Sequence, residues 1–118
     1  MPSAVDYFIN RLRARSKYFK NYVKYCKKIK AEVEKTLGPI RVIIFGSLAR
    51  GTHNPALSDI DLLIITSKQL TPLERAAIIN EIKNKILRDP ISPFEIHITT
   101  QEEYEKWYKK FIDKYIEI

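Results

Sequence analysis

The chain has 118 residues and a formal net charge of +7, from 21 Lys/Arg against 14 Asp/Glu. A chain of this length builds one compact domain and little more, and no apolar run reaches the ~18–20 residues that a membrane-crossing helix needs. The single cysteine, Cys26, excludes an intrachain disulfide and any zinc site of Cys/His spacing. Met1 to Asp6 carries no secretory-signal pattern, so a cytoplasmic protein is expected.

The charge is unevenly placed. Residues 1–37 hold ten Lys/Arg and three Asp/Glu, while residues 38–118 hold eleven of each. Attraction to an anionic partner therefore belongs to the first third of the chain. Val5, Phe8, Leu12, Phe19, Tyr22, Cys26, Ile29 and Val33 recur at three- and four-residue steps, which predicts one long amphipathic helix over Val5–Leu37, or two abutting ones. Arg15 interrupts that stripe, and Gly38-Pro39 stops it. An unbroken helix of this length spans roughly 50 Å, against about 25–30 Å for the remaining eighty residues or so. Either it breaks near Arg15-Ser16 or its free part packs on another chain. Three uses are open: cover for the sheet, a dimer or partner interface through Phe8, Tyr18, Phe19, Tyr22 and Tyr25, or nucleic-acid contact through Lys17, Lys20, Lys24, Lys27, Lys28 and Lys30.

Arg41–Phe45 is short, β-branched and apolar, and reads as a buried strand. Gly46-Ser47 ends it. Glycine lets a ligand approach the backbone closely, and a helical turn begun at Leu48-Ala49-Arg50 would offer free N–H groups to a phosphate. Gly51 to Pro55 is turn-rich loop, with His53 expected at its surface. A second strand covers Asp59 to Ile65. Alternation puts Asp59 and Asp61 on one face, roughly 6.6 Å apart, and turns Ile60, Leu62 and Ile64 into the core. Two carboxylates so close repel unless a cation lies between them, and oxygen-rich sites suit Mg²⁺ or Mn²⁺.

Thr71-Pro72-Leu73-Glu74 opens a helix with a capping box. Ala76, Ile79, Ile82 and Ile86 supply its buried side, and it ends near Arg88. Phe94 to Thr99 is a third strand: Phe94, Ile96 and Ile98 make one face, Glu95, His97 and Thr99 the other. A neighbouring position would set Glu95 beside the aspartates, and three carboxylates can hold two metal ions about 3.5–4 Å apart. His97 shares that face and is assigned a structural part. The last helix starts at Thr100, with Glu103 at capping-box spacing, and runs to about Lys114; Trp107, Tyr108, Phe111 and Tyr115 face inward or toward a partner. The order helix, strand, strand, helix, strand, helix describes an α/β domain with a single small mixed sheet flanked by helices. Its limits are 1–118, with a helical segment over 1–37 and a catalytic core over 40–118.

Gly46-Ser47-Leu48-Ala49-Arg50-Gly51 followed by Ser58-Asp59-Ile60-Asp61-Leu62-Leu63-Ile64 closely resembles the signature of the DNA polymerase β nucleotidyltransferase superfamily. Within it, the chain looks like the minimal nucleotidyltransferases, small prokaryotic proteins often paired with HEPN partners. The resemblance covers Arg41 to Tyr108, and a Gly-Ser turn with Asp-x-Asp at this spacing is highly specific. It implies a palm-like fold, a phosphate-binding turn at Gly46 and Ser47, metal ligands at Asp59 and Asp61, and a third acidic position at Glu95, where many members carry Asp. Arg50 falls where the family often has an arginine that can neutralise a triphosphate oxygen. The function implied is transfer of AMP from ATP, with two Mg²⁺ or Mn²⁺ ions, to an acceptor hydroxyl: a tyrosine of a HEPN toxin in an antitoxin role, a small molecule such as an aminoglycoside, or an RNA 3′ end. The competing functions are an antitoxin that binds its partner without catalysis and a nucleic-acid-binding module built on the basic helix.

Overall fold

The computed structural model describes residues 3–118. Two helices open the chain, α1 (Ala4–Lys20) and α2 (Tyr22–Leu37). Ser3 caps α1 and forms a capping box with Asp6. The break falls at Asn21, not at Arg15-Ser16. Its backbone leaves the helical region (φ −116°, ψ 25°), and its side-chain amide donates to the Lys17 carbonyl at 2.9 Å. A side chain that bonds its own backbone this way competes with the helical ladder. Because the Asn21 amide still reaches Lys17 O and Tyr25 N still reaches Asn21 O, the two helices run on with little interruption. The molecule measures 49 × 30 × 23 Å, and its long dimension matches the roughly 50 Å expected of the helical pair.

Arg15 does not interrupt the buried stripe; it continues it, between Leu12 and Phe19, and is 2% exposed. Only the proximal part of the pair lies on the sheet. Cys26, Ile29, Val33 and Leu37 of α2 are buried, whereas Val5, Tyr7, Phe8 and Ile9 near the start of α1 are exposed.

Four strands form one mixed sheet in the order β3-β2-β1-β4. They are β1 (Arg41–Phe45), β2 (Ile60–Thr66), β3 (Phe94–Thr100) and β4 (Ile116–Glu117). β1 pairs antiparallel with β2 and β4, while β2 and β3 run parallel. A four-residue helix, α3 (Ser47–Arg50), follows β1, and α4 (Pro72–Ile82) makes the crossover that a parallel pair requires. The Thr71–Glu74 capping box and Pro72 start α4 as the sequence predicts.

One sheet face, built from Val42, Ile44, Ile60, Leu62, Ile64, Phe94, Ile96 and Ile98, packs under α2 and α4 as the main core. On the other, Ile43, Leu63 and Ile65 lie under Tyr104, with Tyr108 and Ile112 beside them. The buried side of α4 differs from the expected one. Ala76 is exposed, Ile79 and Ile86 are half-buried, and Ile78, Ile82 and Leu87 point inward. After Ile82 the helix widens into a π turn over Lys83–Leu87. The extra residue per turn brings Leu87 onto the inner side, where Ile86 also packs against the core.

The final helix, α5, runs from Gln101 to Phe111 through a second π turn at Tyr104–Tyr108. It stops before Lys114 because Ile112 turns extended (φ −94°, ψ 104°). The tail then adds β4 to the edge of β1, with Ile118 N donating to Val42 O and Arg41 paired with Glu117 at 2.9 Å. Tyr104 faces inward with Tyr108 beside it, while Trp107 and Phe111 are 64% and 76% exposed.

Candidate active site

α5 covers only part of its sheet face. The uncovered part lies at the beginning of β2 and β3 and the end of β1. Register sets the contents: Asp61 pairs with Phe45 on one side and with Glu95 on the other, and the next outward position on β3 is His97. The parallel pairing of β2 with β3 puts the side chains of Asp61 and Glu95 on the same face. One ligand atom from each of Asp61, Glu95 and His97 lies within 4.8 Å of the others. His97 Nε2 is 3.6 Å from Glu95 Oε1, and its ring lies 6.0 Å from that of Phe45.

Burial is the first cause, and the Glu95 charge the second, of an Asp61 carboxyl pushed above its ordinary pKa; Asp59 adds to the shift, while His97 and Arg50 oppose it. Two adjacent carboxyls on a partly buried surface are the arrangement that a cation relieves. The donor set of two carboxylates and an imidazole fits a divalent cation.

Gly46 stands against this group. At φ 75° and ψ −152° it occupies a conformation that side-chain-bearing residues avoid. A Cβ placed on it would overlap Asp61 Oδ2 and lie 3.1 Å from Asp61 Cγ. Only glycine lets the turn and the carboxylate share this space. Ser47, half-buried, opens α3, where the Arg50 amide closes the first turn onto Gly46 O at 3.1 Å. The amides ahead of it have no acceptor within the helix. Arg50 itself is exposed, 4.0 Å from Asp113.

Asp59 lies one residue before β2, and its side chain is 57% exposed. It is outside the group formed by Asp61, Glu95 and His97, and its Oδ1 is 3.4 Å from Arg15 Nη2. The loop leading to it is tightly organised. Asn54 Oδ1 accepts from Ala56 N, Ser58 Oγ accepts from Asn54 N, and Asn54 O accepts from Leu57 N and Ser58 N. His53 is half-buried, stacked on Phe19 at 5.2 Å with an interplanar angle of 4°, which departs from the expected surface position. A cleft of about 510 Å³ between Leu87, Arg88 and Phe94 is on the helix-bearing side of the sheet, away from the acidic group.

The sequence reading placed His97 on the right face without giving it a part in the site, and it missed Arg15. The signal for Arg15 was a lone cation in register with an apolar stripe. Burying a guanidinium there demands acceptors, and carbonyls next to the acidic motif provide them.

A nucleotidyltransferase domain model matches residues 26–115. The chain is similar over 83% of its length, at 28% identity and a TM-score of 0.61, to a crystal structure provisionally assigned as a nucleotidyltransferase, 98% of which is covered. A second, from Sulfolobus solfataricus and provisionally assigned in the same way, is 21% identical over 93% of this chain and 84% of that one, with a TM-score of 0.57; at that identity it speaks for the fold alone. Comparison with curated proteins gives no match. With the family model spanning both acidic strands, the glycine turn and the α4 crossover, the chain belongs to the nucleotidyltransferase domain family and is a nucleotidyltransferase.

Proposed function

We propose that the protein moves a nucleoside monophosphate, AMP from ATP, onto an acceptor hydroxyl. The observation that carries this reading is the juxtaposition of Asp61 and Glu95 on an open sheet face with the Gly46 backbone pressed against the Asp61 carboxylate. In this reading Gly46 and Ser47 seat the triphosphate against the first amides of α3. Arg50 neutralises phosphate charge. Asp59, Asp61 and Glu95 hold two Mg²⁺ or Mn²⁺ ions, with His97 steadying the Glu95 carboxylate. When bound, the ions supply charge neutralisation at the transferred phosphate. The chain's own contribution is to hold the nucleotide in line with the acceptor and to keep water from the covered half of the face through Tyr104 and Tyr108.

For the acceptor we propose a protein hydroxyl, a tyrosine on a HEPN-type partner, which gives the protein an antitoxin role. Trp107 and Phe111, exposed on the helix that roofs the neighbouring half of the face, would give a macromolecular acceptor an apolar footing. A second reading, an RNA acceptor, is favoured by Arg13, Lys17, Lys20, Lys24 and Lys28. They follow one another at helical spacing, are exposed, and enter no ion pair among the described residues.

The test is transfer of label from α-labelled ATP, with Mn²⁺ or Mg²⁺, to a co-purified partner protein or to RNA. Asp61→Asn should lower the rate by at least about a hundredfold, the scale of losing an electrostatic partner of the reacting charge. Labelling by Asp61→Asn at the parental rate would show that the site is elsewhere.

A further inference from the structure

The residues matched by the family model begin at 26, yet the loop that carries Asp59 is gripped from outside them. Arg15, eleven residues upstream of that boundary, donates from Nη1 to Ala56 O at 2.7 Å and from Nη2 to Ser58 O at 2.7 Å, and Nη2 is 3.4 Å from Asp59 Oδ1. Arg11 Nε adds a bond to Ala56 O at 2.8 Å. A single planar guanidinium thus spans two carbonyls and one carboxylate oxygen, a set of directions that an ammonium on a flexible stem does not reproduce.

Stability alone does not call for an arginine here. Its neighbours on the stripe are Leu12 and Phe19, and an apolar residue in register would be the cheaper occupant of a buried site. Arg15 is instead 2% exposed with its Nε lacking any hydrogen-bond partner, which leaves part of the desolvation cost unrecovered. What the arrangement achieves is orientation. Both loop carbonyls are held from one guanidinium, and Asp59, which follows them directly, has one carboxylate oxygen drawn to the same group.

We propose that Arg15 is a positioning residue for nucleotidyl transfer, one that acts from α1 through Asp59 to set the carboxylate that completes the divalent-cation site. The proposal rests on the reading of Asp59, Asp61 and Glu95 given above. It makes α1 part of the catalytic unit, although the family model does not include it.

The experiment uses the full chain and Mn²⁺ alone as the probe, with free Mn²⁺ read by electron paramagnetic resonance. Arg15→Lys should remain folded and raise the half-saturating Mn²⁺ concentration about tenfold, the usual scale for removing a partner that orients a metal ligand. Asp59→Asn should do the same, and the double variant should be no worse than either single one. In turnover, Arg15→Lys should lower kcat with little change in the KM for ATP. Mn²⁺ binding by Arg15→Lys within twofold of the parent would overturn the proposal, and so would losses that multiply in the double variant. Asp61→Asn separates the two levels. If it too leaves Mn²⁺ binding unmoved, the site itself is misassigned and the proposal goes with it. If it abolishes binding while Arg15→Lys binds Mn²⁺ within twofold of the parent, only the positioning role falls. Should Arg15→Lys fail to fold, the parent answers instead: Mg²⁺ addition should shift the Arg15 Nε resonance in parent protein and not in Asp59→Asn. A resonance unmoved in the parent would overturn the proposal.

Discussion

Gly46 and Asp61 constrain each other. The turn needs a positive φ, and the carboxylate lies where a side chain at 46 would begin. Gly46→Ala should therefore lose at least about 2 kcal/mol, the cost of one residue held in a conformation that only glycine tolerates, and chemical denaturation will measure it. Pairing it with Asp61→Ala should recover the part due to overlap and leave the part due to the backbone. Asp61 itself is a cost to the empty fold. A carboxyl whose pKa is raised on folding binds more protons folded than unfolded, so its contribution falls as pH rises through the interval above the ordinary Asp value and stays low beyond it. The ionised form meets both burial and the Glu95 charge, and a cation held between the two carboxylates would relieve them.

At the scale of elements, the tie between α4 and α5 holds the roof over the inert half of the active face. Arg75 Nη1 donates to Ile98 O at 3.0 Å, and both terminal nitrogens of Arg75 reach Glu103, which also accepts from Thr99 Oγ1 at 2.9 Å. The Arg75 guanidinium holds the Glu103 carboxyl below its ordinary range. A lowered acid pKa gives stability that is present above the unfolded value and lost as pH falls through the folded one. Glu103→Gln should thus destabilise by under about 1 kcal/mol at pH 7, as partly exposed pairs do, and the gap to the parent should narrow as pH is lowered toward 3. Equal gaps at both pH values in urea titrations would assign the effect to packing instead.

The cap of α4 was legible because Thr and Glu three residues apart solve a local problem, the unpaired first amides, without help from the rest of the chain; at α5 only Thr100 does so, the Glu103 carboxylate going to Arg75 and Thr99. The alternation in β1, β2 and β3 was legible for a similar reason. β4 was not, since two residues have no period, and its place depends on an edge of β1 that exists only after folding. The π turns were not legible: on α4 the expected Ile79, Ile82 and Ile86 pack on the core but are joined by Ile78 and Leu87, and on α5 Tyr104 joins Tyr108 on the inner side while Trp107 stays exposed. Gly46, Asp61 and Glu95 could be listed from spacing. That His97 would join the last two required the parallel register of β2 and β3, and that Arg15 would reach Asp59 required the course of α1 over a loop more than forty residues away.

For the molecule as a whole, charge and shape are both lopsided. The excess of seven positive charges comes from the first 37 residues, of which 4–37 make the long helical pair, while the acidic group lies on the sheet. Among the described residues no helix is long and apolar enough to cross a membrane, and Arg13, Lys17, Lys20, Lys24 and Lys28 form an exposed basic ridge along the helical pair. If RNA is the acceptor, single-stranded RNA that neutralises four phosphates on this ridge should bind with a log–log salt slope of about −3, measurable by fluorescence anisotropy. Replacing Lys17 and Lys24 by Gln should bring the slope closer to zero. A protein-hydroxyl acceptor predicts no such dependence on those two lysines.

The break at Asn21 is mild, and a near-continuous rod over residues 4–37 spans roughly 50 Å, close to the 49 Å long dimension of the molecule. Helical amide bonds point along their own axis, so those of the two helices lie near the direction about which a rod spins but seldom tips. Rotational diffusion is therefore direction-dependent: these vectors lose memory of their orientation more slowly than amides of the sheet that lie across the rod.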